Sequence, residues 1–299
     1  MISFIIKHYK KILGFTLILS SAFAIFLYFS PKSQNFCLKA YNKCQLLLLP
    51  LEISATQDNI SPFYNNDGAN TRQAYIAHGG GIRDFVYTNS IQAIEDSLSQ
   101  GFIFVEIDFH ISADGHLVGV HDWAEFEKFT SLPPGTAKKL TLNQLKKLKI
   151  KGKYTIATAA DICRIMQQHP EMILVTDKTD EYELLLKEIP FPERIIVETF
   201  SDRSYQKALR SGIKHPAFNI YCEHGLYLSE KYRFPIVTIF AEMLYDPRYA
   251  QRLQHLHNEG VTILAFNSSY CDQDDFIKDK LGKSVSKIYT NIHSPKNLK

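Results

Sequence analysis

Between residues 75 and 123 the sequence places His78, Glu106, Asp108 and His121 at or near the ends of short apolar runs. Glu106 and Asp108 are two apart within the run 102–109, so on a strand both project from the same face. Two carboxylates side by side are costly unless a cation neutralises them. A hard divalent cation bound through oxygen is the simplest answer, and two nearby histidines then supply an acid and a base. Each residue alone has a plainer reading, as part of a solvated strand face paired with lysines or as a histidine in ordinary hydrogen bonds. The ensemble resists that reading. Phe102, Phe104, Val105, Ile107 and Phe109 make the carrying strand apolar on both faces, and acids buried there need a reason.

From residue 74 onward, β-branched runs alternate with helical patterns. Strands are expected at 75–77, 103–109, 172–176, 194–198, 217–221, 236–240, 261–266 and 286–289. Helix starts are marked by Thr88, by Thr141 and Thr158 with Gln144 and Asp161 completing capping boxes, by Ser201 and by Pro247, and helix stops by Gly101, Gly212 and Gly260. Strands joined by helical crossovers predict an α/β fold with a parallel sheet, and eight is the number that closes into a (β/α)8 TIM barrel. The alternative, an open doubly wound sheet, lacks a G-x-G-x-x-G at its first helix. In a barrel the C-terminal strand ends converge on one mouth, and His78, Glu106, Asp108, Asp177, Lys178, Glu198 and Asn267 all lie at such ends or just beyond. Residues 122–168 are longer than one crossover requires. Trp123, right after His121-Asp122, is placed either to form a substrate-binding lip over the mouth or to pack against neighbouring loops.

A chain of 299 residues with 45% hydrophobic content can bury one large core. The formal charge of +3 is small, and the basic residues are spread without a nucleic-acid-binding signature, so nucleic acid is not an expected partner. Residues 12–29 form an uncharged apolar run preceded by Lys7, His8, Lys10 and Lys11, long enough to span a bilayer. Ala22-Phe23-Ala24 has the look of a signal-peptide cleavage site, but cutting there would fall inside the apolar run, which favours an uncleaved signal-anchor over residues 1–30. The basic cluster places the N-terminus in the cytoplasm, and the barrel then faces the periplasm or exterior from a single-pass anchor in the cell inner membrane. Residues 31–73 are expected to be a juxtamembrane segment and linker, and 74–299 the barrel. The cysteines show no CxxC or zinc spacing. Cys37 and Cys44 suit a disulfide only if their segment is a loop, because a helix would separate them by roughly 10 Å.

The ordered set His78-Gly79, Thr88-Asn89-Ser90, Glu106-Ile107-Asp108, Asp114-Gly115 and His121-Asp122, followed by Thr176-Asp177-Lys178, resembles the glycerophosphodiester phosphodiesterase family, which belongs with the phosphatidylinositol-specific phospholipase C-like barrels. The resemblance runs from residue 74 to the end, and the pattern HxxGG…YTNS…HDW is similar to a divergent bacterial branch tied to the cell envelope. It implies His78 and His121 as the acid and base pair, Glu106 and Asp108 as ligands of Ca²⁺ or Mg²⁺, Lys178 as the group that stabilises phosphate charge, and Asn89 as a substrate contact. It also implies attack by a hydroxyl of the substrate itself, giving a cyclic phosphate that water then opens. The expected partners are a phosphodiester-containing small molecule, a lipid headgroup or an envelope polymer.

Two positions depart from the family pattern. The family's His-Arg-Gly is His78-Gly79-Gly80 here, leaving Arg83 or the glycine amides to replace the arginine. The third acidic ligand is displaced to Asp177, next to Lys178, where a regular strand would point the two apart; Asp180 and Glu198 are the alternatives. These departures motivate a rival reading, a catalytically weak barrel that binds a phosphorylated glycan or lipid. A second rival, a glycoside hydrolase using Glu106 and Glu198, leaves the two histidines and Lys178 without a role.

Overall fold

Short runs rich in Val, Ile, Phe and Tyr, apolar on both faces, suit strands whose outer side is covered by helices and whose inner side fills a barrel. The computed structural model describes residues 61–64, 71–266 and 277–297, which all fall within the unit Ile53–Lys299. Its strands are β1 (Tyr75–Ala77), β2 (Phe104–Ile111), β3 (Leu117–Gly119), β4 (Ile173–Asp177), β5 (Ile195–Thr199), β6 (His215–Ile220), β7 (Ile236–Phe240), β8 (Thr262–Phe266) and β9 (Lys287–Thr290). β1, β2 and β4 to β9 pair in parallel with their neighbours, and β1 pairs with both β2 and β9, so the sheet closes. This is the expected TIM barrel.

One residue from each of the eight barrel strands meets in the interior: Ile76, Phe104, Val175, Ile196, Ala217, Ile236, Leu264 and Tyr289. The described helices are α1 (Ile91–Ser99), α2 (Trp123–Thr130), α3 (Leu142–Leu145), α4 (Ala159–Gln168), α5 (Tyr182–Glu188), α6 (Asp202–Arg210), α7 (Glu223–Tyr232) and α8 (Pro247–Asn258). The capping boxes at Thr141/Gln144 and Thr158/Asp161 are both present. At α1 the N-cap is Ser90, not Thr88. Ser90 Oγ accepts from the Ala93 amide, while the Thr88 hydroxyl donates to the Phe85 carbonyl in the preceding turn.

β3 stands outside the barrel, antiparallel to the extended end of β2. The hairpin turns at Asp114-Gly115, where Gly115 has φ 86 and the Ser112 hydroxyl donates to Asp114. The residues after it build a small core of their own around Val118, Phe126, Leu145 and Tyr154, with Trp123 and Phe129 packed against it.

At the N-terminal end of the barrel, Phe63 packs edge-on against Phe104 with ring centres 5.9 Å apart. Ser61–Tyr64 therefore belongs to the barrel's packing and not to a free linker, because Phe63 is an apolar residue in a polar stretch. Lys287 is fully buried nearby, its Nζ donating to the Gln73 carbonyl at 2.9 Å and lying 4.4 Å from the Phe104 ring centre. Among the described residues no helix is long and apolar enough to cross a membrane. The anchor expected at 1–30, Cys37, Cys44, Asn267 and Cys271 lie outside the described residues.

Candidate active site

His78 is the first residue beyond β1, and the chain turns away from it through Gly79 at φ 56 and Gly80 at φ 87. The Gly79 amide donates to Glu106 Oε2 at 2.6 Å, tying the turn to β2. A Cβ on Gly79 would lie 2.7 Å from Tyr87 Cα. The arginine that the family pattern leads one to expect at this position therefore has no room.

Asp108 on β2 and Asp177 on β4 are paired in register, which brings their carboxylates together at the barrel mouth. Glu106, Asp108 and Asp177 are all buried and each offers an oxygen within 4.8 Å of the others. The apposition of Asp177 and Lys178, problematic for a regular strand, is resolved by the backbone. Lys178 leaves β4 at φ 63, in the left-handed region, so its side chain returns to the same mouth. Its Nζ lies 3.3 Å from Asp177 Oδ2 and 3.9 Å from Asp108 Oδ1.

His121 follows the β2–β3 hairpin. Asp122 caps α2 by accepting from the Ala124 and Glu125 amides, and one turn on Glu125 Oε2 meets His121 Nδ1 at 2.9 Å. The Tyr87 ring lies between the two histidines, 4.8 Å from His78 and 4.5 Å from His121, centre to centre. A cavity of about 350 Å³ joins these groups, and Phe200, Tyr221, Phe240 and Phe266 form its other wall.

The electrostatics of the two histidines diverge. Burial holds the His78 imidazole down, to about 4. Burial also pulls on His121, but the Glu125 hydrogen bond and the Asp108 charge outweigh it and raise its pKa. Glu106 and Asp177 are pushed well above the carboxylate range, first by burial and then by the charge of Asp108. Glu198 is pushed up to about 7 by burial, against a hydrogen bond from Tyr289. Lys178 is raised despite burial because Asp177 and Asp108 face it.

Hard oxygen donors from three buried carboxylates, with Asp177 Oδ1 unpartnered, fit a Ca²⁺- or Mg²⁺-type cation.

Six of the expected site residues, His78, Glu106, Asp108, His121, Asp177 and Lys178, line the cavity. The three expected substrate contacts do not line it. Asn89 spends both halves of its amide on Asp108, with Nδ2 donating to Oδ2 at 2.9 Å and Oδ1 accepting from the Asp108 amide at 3.0 Å, so it positions that carboxylate. Arg83 sits exposed in a single 3₁₀ turn. Trp123 packs against His110 and Phe126, since the loop core takes its ring. Asp180 accepts from the Tyr182 hydroxyl and is not among the carboxylates that could share a cation. The sequence reading missed Glu125, although its i,i+4 spacing from His121 before a capped helix was a usable signal. It also missed Tyr87 and the aromatic wall.

Residues 77–217 match the family model described as the Glycerophosphoryl diester phosphodiesterase family. The chain carries a domain of that family. Over 145 residues, 43% of this chain, the phosphodiesterase-family region is 28% identical to a glycerophosphodiester phosphodiesterase of Caldanaerobacter subterraneus subsp. tengcongensis, and the match spans 58% of that relative's length. Among solved structures, the barrel is similar to a glycerophosphoryl diester phosphodiesterase from Parabacteroides distasonis, with TM-score 0.63 and 18% identity over 81% of this chain and 90% of the other. It is also similar to a phosphodiesterase from Oleispira antarctica in complex with the product sn-glycerol-3-phosphate, with TM-score 0.60 and 19% identity over 75% and 94% of the two chains. At these identities the structures establish the phosphodiesterase-family domain's fold alone.

Proposed function

We propose that the barrel is a metal-dependent phosphodiesterase acting on glycerophosphodiesters. The observation that carries this reading is the meeting, in one cavity, of the Glu106-Asp108-Asp177 group, Lys178 and two histidines whose pKa values are shifted in opposite directions, His78 down by burial and His121 up through Glu125 and Asp108. Glu106, Asp108 and Asp177 would hold a divalent cation, which supplies positive charge to the phosphoryl oxygens when bound. Lys178 pairs with the same diffuse negative charge. His78, neutral near pH 7, takes the proton from the attacking substrate hydroxyl, and His121, whose protonated form Glu125 favours, gives one to the leaving oxygen. The roles then reverse. His121 takes a proton from water and His78 gives its own back as the cyclic phosphate opens.

The product named for the Oleispira enzyme, sn-glycerol-3-phosphate, supports a glycerophosphodiester as substrate class. The apolar run 12–29 behind a basic cluster supports a single-pass inner-membrane anchor with the barrel on the periplasmic or exterior side. A reporter fused after residue 60 would test that topology. The activity is tested by product release from a panel of glycerophosphodiesters, lysophospholipids and envelope polymers, with Mg²⁺ or Ca²⁺ and then with chelator. Metal-dependent cleavage that disappears in His78→Ala supports the reading. A folded chain that cleaves nothing would favour the binding-barrel alternative raised by the glycine at position 79.

A further inference from the structure

The basic residues are less evenly distributed than the small net charge of the chain suggests. Of its 34 basic residues, seven lie between positions 129 and 160, against none of its 31 acidic ones, and all seven are lysines. The remainder of the chain is net acidic. This segment supplies much of the small core beyond β3, and the lysines are its outer skin. Ala137, Leu145 and Ile150 are buried in that core, while their chain neighbours Lys138, Lys146 and Lys151 are exposed, as are the other four lysines.

Three of these side chains are fixed on the surface. Lys151 Nζ donates to the Asp84 carbonyl at 3.2 Å and lies 4.7 Å from the Phe129 ring centre. Lys153 Nζ lies 4.7 Å from the Tyr154 ring centre, and Lys149 Nζ donates to the Thr155 hydroxyl at 2.9 Å. Asp84 belongs to the loop that follows β1 and His78, so the lysine face borders the mouth of the barrel. Neighbouring acids do little to neutralise it. Glu127 is buried and accepts from the Gly135 and Ala137 amides. Asp114 accepts from the Ser112 hydroxyl and the Leu142 amide. Asp84 faces Lys153 and offsets one charge.

The residue types select the partner. A defined phosphate group is gripped by arginine forks, whereas lysines are point charges on long stems that answer to the field of a whole surface. Single-stranded nucleic acid needs exposed rings on which bases stack, but Phe129 and Tyr154 are packed into the loop core. A layer of anionic headgroups asks only for clustered cations, and each lysine brought near one strengthens binding about fivefold. The apolar run 12–29, read above as an anchor, keeps a bilayer at high effective concentration for the same chain.

We propose that the lysine face of residues 138–153 docks on an anionic lipid surface, as a bilayer contact separate from the apolar run 12–29 and independent of the phosphodiesterase reading.

The test uses the full chain with vesicles of phosphatidylcholine alone or mixed with phosphatidylglycerol. Amines are acetylated with acetic anhydride and each lysine is quantified by mass spectrometry. Labelling of Lys138, Lys139, Lys146 and Lys147 should fall several-fold with phosphatidylglycerol and recover at high salt, while Lys207 on α6 and Lys231 on α7 stay unchanged. In the variant K138Q/K139Q/K146Q/K147Q, whose substitutions are all at exposed positions, Lys151 and Lys153 should label equally in both lipids. Insertion of the run 12–29 alters how much chain sits on phosphatidylcholine, not this contrast, so the anchor and the lysine face fail separately. Equal labelling in the two lipids would overturn the proposal, as would protection that includes Lys207 and Lys231 to the same extent. Protection by soluble polyphosphate but not by phosphatidylglycerol vesicles would assign the face to a polymer and overturn it too.

Discussion

Glu125 Oε2 lies 2.9 Å from His121 Nδ1, on the first turn of a helix whose start is set by Asp122. The carboxylate occupies one ring nitrogen and stabilises the imidazolium, so Nε2 is the nitrogen left to act on substrate. Glu125→Gln removes the charge and lowers the His121 pKa. Because the protonated form is required, activity is then lost at lower pH: the alkaline limb of the kcat/KM profile should move to the acid side. At neutral pH the rate should fall roughly tenfold, less than on losing the imidazole. An unmoved limb would separate Glu125 from the acid.

Removing either imidazole should be more severe. His78→Ala and His121→Ala are each expected to lower kcat by about 10²–10⁴, with far-UV circular dichroism unchanged. Retained turnover in both variants would dismiss the acid and base assignment.

Asn89 holds Asp108 by both its side chain and its amide. Asn89→Ala should weaken Mg²⁺ or Ca²⁺ binding by about 10–100-fold, as loss of a residue that orients a ligand does. Glu106 and Asp177 have raised pKa values, so protons compete with the cation. Affinity should increase with pH and binding should release protons, which titration calorimetry in buffers of different ionisation enthalpy detects. PH-independent affinity would speak against these carboxylates as the ligands.

Gly79 has φ 56 and faces the Tyr87 backbone. Gly79→Arg, which restores the family's arginine, should destabilise the fold by at least about 1–2 kcal/mol through the left-handed backbone alone. It should also lower activity, because Tyr87 lies against both histidines. Melting curves and kcat report the two effects; a more active variant would show that the loop can make room.

Lys287 has its ammonium pushed from 10.5 down to about 7 by burial. Between those values the unfolded chain holds a proton that the folded chain lacks, so this group makes stability rise with pH. The slope is up to about 1.4 kcal/mol per pH unit. Lys287→Met should flatten that rise in urea melts across the window. The absolute change at one pH also includes the lost bond to Gln73, so the slope is the decisive quantity.

The barrel was legible because its strands are short, apolar on both faces and separated by capped helices, as at Thr158 with Asp161. The ionic half of the site was legible because strand periodicity puts Glu106 and Asp108 on one face and both histidines at strand ends. What escaped depended on backbone and on distance. The positive φ of Lys178 reverses the alternation that makes Asp177 look misplaced. Trp123 was drawn into a loop core assembled from residues 118–156. The aromatic wall joins rings from five strands, each unremarked in its own segment, and only closure of the barrel sets Phe200 beside Tyr221 or Phe266 beside Tyr289.

β1, which leads into His78, is three residues long and is held between β2 and β9. The bond from Lys287 to Gln73 that accompanies this closure joins positions 214 residues apart. A ribosome delivers the His78 strand long before its β9 partner. The histidine therefore waits for about two hundred further residues before the strand that seats it emerges, and Tyr289, which holds Glu198 on the far wall, arrives on that same later strand. Both halves of the mouth depend on β9, so a nascent chain has most residues of the site long before it has the site.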